Sequence, residues 1–398
     1  MDNKVIIAIA VVAVLAIAGT ATYFVLSNGN DEASYDAGAF QIVSRVNSEG
    51  SGLYIDTSVA DLSSPADPIR ISNGAHFFGA NYALSADNKA AWGGLVLGDP
   101  GSKSIQHTQL ASIADKVGLK FEAYTQSTVK NDNTLYYVSE LSNAGAVQGN
   151  DDIQGGIIWE PQYQKIIQEQ ANYKQLARTN EVFKGHTCCV IAANHDWLKS
   201  NSDNMVKFLA GYTKAVDFIN NAKNNPTGDD YTWLVAFAKT TTANLTDEEV
   251  TQALTNIQYL YADDSDGSLD KLTDDVKALS TDLKDLGVIT SDKFNDAGKL
   301  SKAFVDDSYM KDAVAGKAKT EGTSSITVAA INGDIHQLAI HVAKEKGYFA
   351  DYGLDVNVSK VGNGNAVAET LISGDATIGF LGAPPATIYT INGNHILV

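Results

Sequence analysis

The sequence predicts an α/β protein with two lobes, each built on an open sheet. Three observations carry that expectation. Residues 326–380 alternate strand, helix, strand, helix and strand, an order that pairs strands in parallel through helical crossovers. Residues 93–187 again hold strands interleaved with a helix. At 398 residues the chain is long enough to bury two cores.

Residues 5–26 form an uncharged apolar run, about 22 residues long and so able to span a bilayer. Lys4 precedes it while Asp31 and Glu32 follow, which by the positive-inside tendency keeps the amino end in the cytoplasm. An uncleaved membrane-anchor helix with a polar linker is expected over 1–39. A cleaved signal peptide is the alternative. No cysteine follows the run, which excludes a lipoprotein anchor.

The folded chain is expected from Phe40. Residues 41–46 read as a strand, 47–52 as a tight polar loop and 53–55 as another short strand. Residues 60–92, with Phe77 and Phe78 between Gly74 and Gly79, read as an insertion or lid. Residues 92–98 read as a buried strand, and a helix opens near Ile105 with Ser104 placed to cap it. Strands follow at 121–124, at 153–159 and at 185–193. Met205, Phe208, Leu209, Tyr212, Val216 and Ile219 share one face of a helix over 205–221. More helices continue through 228–315, one of them capped at Thr246, and 263–266 is an acidic loop. After a polar linker at 317–325 come a strand at 326–330, a helix with Leu338, Ala339, Val342 and Ala343 on one face, and a strand at 354–358. A Gly/Asn loop, a helix over 366–372 and a strand at 376–380 complete the pattern.

Composition narrows the function. The 47 acidic residues exceed the 29 basic ones, a formal charge of −18, which argues against nucleic-acid or anionic-membrane surfaces. The 2 cysteines, Cys188 and Cys189, adjoin in sequence and on a regular strand would point to opposite faces. Two buried thiols are expected rather than a disulfide. No spacing matches a zinc site, a phosphate loop, a metalloprotease helix or a Gly-x-Ser-x-Gly elbow. Neither a cofactor nor a metal is expected, and the chain is not expected to be an enzyme.

The segments KGYFADYGLDV (346–356), AETLISGDATIGFLGAPPA (368–386) and ING (391–393) together resemble the opening lobe of solute-binding proteins of ABC importers. The group is the one for nitrate, sulfonate, taurine and thiamine precursors. RVNSEGSGLYI (45–55), GSKSIQHTQL (101–110) and GGIIWEPQ (155–162) resemble later parts of the same family. The resemblance implies a two-lobed, type II periplasmic-binding-protein-like fold. It also implies that the segments stand in circularly permuted order, since the family's opening segment is here the last. A broken tandem array is the alternative. The implied organisation is anchor and linker 1–39, lobe I part 40–92, lobe II 93–187, lobe I part with the closing helices 188–318, and the opening segment of lobe I 319–398.

By that resemblance the protein binds a small polar or anionic solute outside the membrane and delivers it to ABC permease subunits. A membrane-tethered sensor and, more remotely, a thiamine-pyrimidine-synthase-like enzyme are the alternatives. Open parallel sheets bind ligands beyond the carboxyl ends of their strands, where helix N-termini offer free N–H groups. The expected ligand residues are Ser51, Ser104, Gln106, Trp159, Glu160, Asp334, His336, Asn363, Gly382 and Ala383. Several also have plain structural readings: Asp334 as a helix cap, Trp159 as core and Glu160 as a turn acid.

Overall fold

The computed structural model describes residues 39–61, 70, 71, 74–242, 245–261, 269–290, 294 and 296–392. The expected anchor over 5–26, the acidic loop at 263–266 and the last residues, 395–398, lie outside them. Among the described residues no helix is long and apolar enough to cross a membrane.

Among the described residues there are fourteen strands, in chain order β1 Phe40–Glu49, β2 Ser51–Asp56, β3 Ala60–Asp61, β4 Arg70–Ile71, β5 Val96–Gly98, β6 Lys120–Ala123, β7 Thr134–Val138, β8 Gly155–Trp159, β9 Tyr173–Arg178, β10 Thr187–Asn194, β11 Ile257–Tyr259, β12 Ser324–Ile331, β13 Leu354–Val361 and β14 Ile378–Gly382. Two mixed six-stranded sheets carry the fold. The first has the order β11-β1-β10-β14-β12-β13 and the second β6-β7-β5-β8-β2-β9. Within the first, β12, β13 and β14 run parallel, while β10 meets both β1 and β14 antiparallel. Within the second, β6, β7, β5 and β8 run parallel, and β2 pairs antiparallel with β8 and β9. The α/β class with two sheets is thus as the sequence pattern predicts.

The tail strands complete the first sheet from within the same chain. Helix Ser202–Asn224 turns its apolar stripe onto them: Phe208 stacks on Phe349 at 4.9 Å, and Tyr212 meets Phe380 edge-on at 5.7 Å. Phe208, Tyr212 and Phe380 are fully buried. Each such side chain contributes about 1.5–3 kcal/mol of burial before the entropy of ordering it is subtracted.

Three local expectations differ from the structure. Residues 47–52 are not a polar loop. β1 runs to Glu49 and β2 starts at Ser51, so Gly50 alone interrupts an extended crossing between the sheets. The polar residues mislead because their backbones are paired: Asn47, Ser48 and Glu49 bond to β11, and Ser51 and Gly52 to β8. This crossing lies ahead of the boundary expected at 92/93, since β2 belongs to the second sheet. The stretch at 92–98 is not one strand. A short helix, Lys89–Trp92, ends in Gly93-Gly94, and Gly94 at φ 78° turns the chain before β5 begins. Phe77 and Phe78 form no lid. Both are buried beside Trp92, with ring centroids 5.0 and 5.6 Å away, in the core of the second sheet.

Residues 319–323 link the closing helix Ser308–Val314 to β12 and are exposed. Tryptic cleavage at Lys317 or Lys319 therefore leaves two pieces joined by the sheet. Native gel filtration of the nicked chain should show one peak and denaturing electrophoresis two bands; pieces that separate under native conditions would contradict the intramolecular docking.

Candidate functional site

Six of the parallel strands end facing one cavity of about 540 Å³ between the sheets. From the first sheet come the turns after β12 (331–334) and β13 (362–365), with Pro385 after β14. From the second come those after β5 (100–104), β7 (140–143) and β8 (159–162). A smaller, more apolar space of about 120 Å³ shares Ser104, Trp159, Asp334 and Asn363 with it and reaches inward to Gln106, His336, Gly382, Cys188 and Cys189. The two form one cleft.

The turns are fixed by short polar contacts that follow from residue type. Ser104 caps helix Ile105–Val117 by accepting from the His107 amide at 3.1 Å. Asn363 caps helix Gly364–Ser373 by accepting from the Ala366 amide at 3.0 Å. The buried Asp99 carboxylate accepts from the Gly101 amide at 2.7 Å and from the Ser139 hydroxyl at 3.0 Å, and contacts His107 Nδ1 at 2.9 Å. It thereby ties together the loops after β5 and β7. Gln337 does the same in the first sheet, accepting from the Ile331 amide and donating to the Phe380 carbonyl. Neither Asp99 nor Gln337 was among the expected residues.

The floor of the cleft is the crossing at Gly50. Its carbonyl accepts from the Glu160 amide of the second sheet at 2.9 Å and from His336 Nε2 of the first at 2.8 Å. His336 Nδ1 meets the Asp334 carboxylate at 2.7 Å. With an acceptor at each ring nitrogen, both must donate, so the ring is an imidazolium. Burial opposes that charge, but the neighbouring Asp334 and Cys188 and the two hydrogen bonds overcome it and raise the pKa from 6.5 to about 9. Ser51 is held beside this point: its hydroxyl accepts from Gln106 Nε2 at 2.8 Å and its carbonyl from Thr179 and Asn256.

Each expected residue can now be placed. Ser104, Trp159, Asp334 and Asn363 line both parts of the cleft, while Gln106, His336 and Gly382 line the inner part. Ser51 and Glu160 are buried beneath it as parts of the crossing. One Glu160 oxygen accepts from Gln164 and Asn256 at 2.9 and 2.8 Å, and burial raises the carboxyl above its ordinary range despite these bonds. Ala383 starts the helix after β14 and lines a separate hollow with Ile105 and Asp275.

The cysteines correct an expectation. Cys189 pairs with Asn47 of β1, whereas Thr187 already pairs with Ser48, so Cys188 is an extra, unpaired residue. This bulge breaks the alternation of the strand and turns both side chains to one face. Their sulfurs lie 3.8 Å apart, unbonded, in the inner cleft. Cys189 pushes the Cys188 thiol down and, against burial, His336 adds to the effect; the Cys189 thiol is pushed up by Cys188 and by burial.

Two outcomes follow. Gly50 has φ 87°, and a Cβ there would lie 2.3 Å from His336 Nε2. Gly50→Ala should cost on the order of 3 kcal/mol, by strain plus overpacking, measured by urea unfolding. For His336, the folded-state pKa lies above the ordinary one. Its stabilisation is fully present below pH 6.5 and disappears as pH rises to about 9. The melting temperature of the native chain should fall across that window relative to His336→Gln, whose own profile should be flatter there.

No curated protein and no solved structure matches the chain. Residues 335–397 match the family model described as NMT1/THI5 like, which supports that family group.

Proposed function

We propose that the protein is the extracytoplasmic solute-binding component of an ABC importer, with a type II periplasmic-binding fold in circularly permuted order. The observation that carries this reading is the convergence of turns from two parallel-stranded sheets on one cleft. A site of that form surrounds a small solute with backbone N–H groups and short polar side chains. The family match over 335–397 agrees with a small-molecule ligand. The order of the first sheet supports the permutation, because β12, β13 and β14 are neighbours in it and join β1 through β10. The apolar run at 5–26 would tether the protein to the outer face of the membrane, beside its permease.

Closure would draw the turns at 331–334 and 362–365 towards those at 100–104 and 159–162, bending at Gly50 and between Arg178 and Thr187. Lys103 and the capped helix N-termini suit an anionic or strongly polar solute, and Trp159 offers a flat face.

A thermal-shift screen tests the reading, with nitrate, sulfonates and bicarbonate in one set and aminopyrimidines in the other. A true ligand at a hundred times its Kd should stabilise the chain by about 2.7 kcal/mol. Trp159→Ala should weaken that shift at least tenfold in ligand concentration while leaving the unliganded melting temperature within a few degrees. A melting temperature unmoved by every candidate in both sets counts against solute capture.

A further inference from the structure

We propose that Cys188 and Cys189 form a vicinal-dithiol site in the inner cleft that captures one trivalent thiophilic centre of the arsenic(III) class through two sulfur bonds. Geometry carries the assignment. The bulge in β10 places both sulfurs on one face, 3.8 Å apart, and both line the inner cleft, which opens into the larger cavity. A reagent of a few atoms that enters between the sheets meets both at once.

The same strand keeps the pair from bonding to itself. Adjacent Cα atoms are about 3.8 Å apart, below the roughly 4.4–6.8 Å that an unstrained disulfide spans. Relief of that strain would need the backbone of β10 to twist, yet Cys189 is paired with Asn47 on one side and Gly382 on the other. A chelate is different: one inserted atom bridges the sulfurs where they stand. The separation calls for a bent S–X–S angle, which a trivalent pyramidal centre supplies and a linear two-coordinate ion does not. Among the described residues no group of three or more His, Cys, Asp or Glu could hold a metal ion, so a tetrahedral ion lacks protein ligands. An arsenic(III) centre that already carries one organic substituent needs only two sulfurs. Positively charged His336 in the same space favours the thiolate that opens the reaction.

The step balances without a redox partner. With an arylarsenic(III) oxide, two As–S bonds form and two S–H bonds break. The oxygen leaves as water with both protons, and neither arsenic nor sulfur changes oxidation state.

Phenylarsine oxide on the folded, full chain is the test, read by intact mass and by titration of free thiols. One arylarsenic group per chain is expected, added with loss of one water. Both thiols should disappear together, and 2,3-dimercaptopropanol should restore them. Cys188→Ser and Cys189→Ser should each lose the adduct while keeping the native melting curve. Should either variant fail to fold, the paired loss of both thiols in the native chain still decides. The proposal is overturned if the folded chain takes no adduct while the guanidinium-unfolded chain does, or if one serine variant retains it. Stronger protection of the thiols by Zn²⁺ than by the arsenical also overturns it. The outcome is independent of the solute screen, since it needs neither a solute nor a permease.

Discussion

The carbonyl of Gly50 is the point on which the molecule turns. It is an acceptor shared by the two sides, taking a peptide N–H from Glu160 and an imidazolium N–H from His336. A charge-assisted hydrogen bond is worth about twice a neutral one, and here it is buried where water cannot compete. Asp334 holds the charge on the ring, and Asp334 is also where the turn after β12 enters the cleft. The residues that join the sheets are therefore chemically continuous with those that line the space between them.

Around that point the polar groups form a belt rather than scattered pairs. Ser51 is bonded to Thr179, Asn256 and Gln106, and Asn256 also reaches Glu160. Helix Asp247–Asn256, which leads into the first sheet through β11, thereby docks beneath the second; Gln252 accepting from Arg178 at 2.9 Å adds to the contact. Such a belt resists sliding of the sheets, and the proposed closure would instead bend at the two crossings. The apolar cores on either side are separate, so that motion need not unpack either one.

Much of this was legible in the sequence. Strand–helix alternation located most of the parallel strands but missed β7, and Ser104, Thr246 and Asp334 announced their helices, because capping is a local matter of a few residues. What could not be read depended on partners far along the chain. The imidazolium at His336 needs a carbonyl 286 residues away, and the role of Glu160 needs Asn256, 96 residues on. The bulge at Cys188 was invisible for the same reason: a strand's own letters carry its alternation but not the register of its neighbours. The polar run at 47–52 looked like a loop because its side chains are hydrophilic, while its backbone pairs as a strand.

The central place of β10 in the first sheet sets a schedule for folding. Its backbone groups pair with β1 on one side, and on the other with β14, which is made nearly two hundred residues later. On the ribosome the second sheet can finish early, whereas the first keeps an open apolar edge until residue 382 has emerged. Long-range pairing of this kind is slow, and an edge left bare in the meantime is a template for other chains. Polypeptide of this order thus has a long window in which a chaperone, or the neighbouring second sheet, must shield β10 before its last partner arrives.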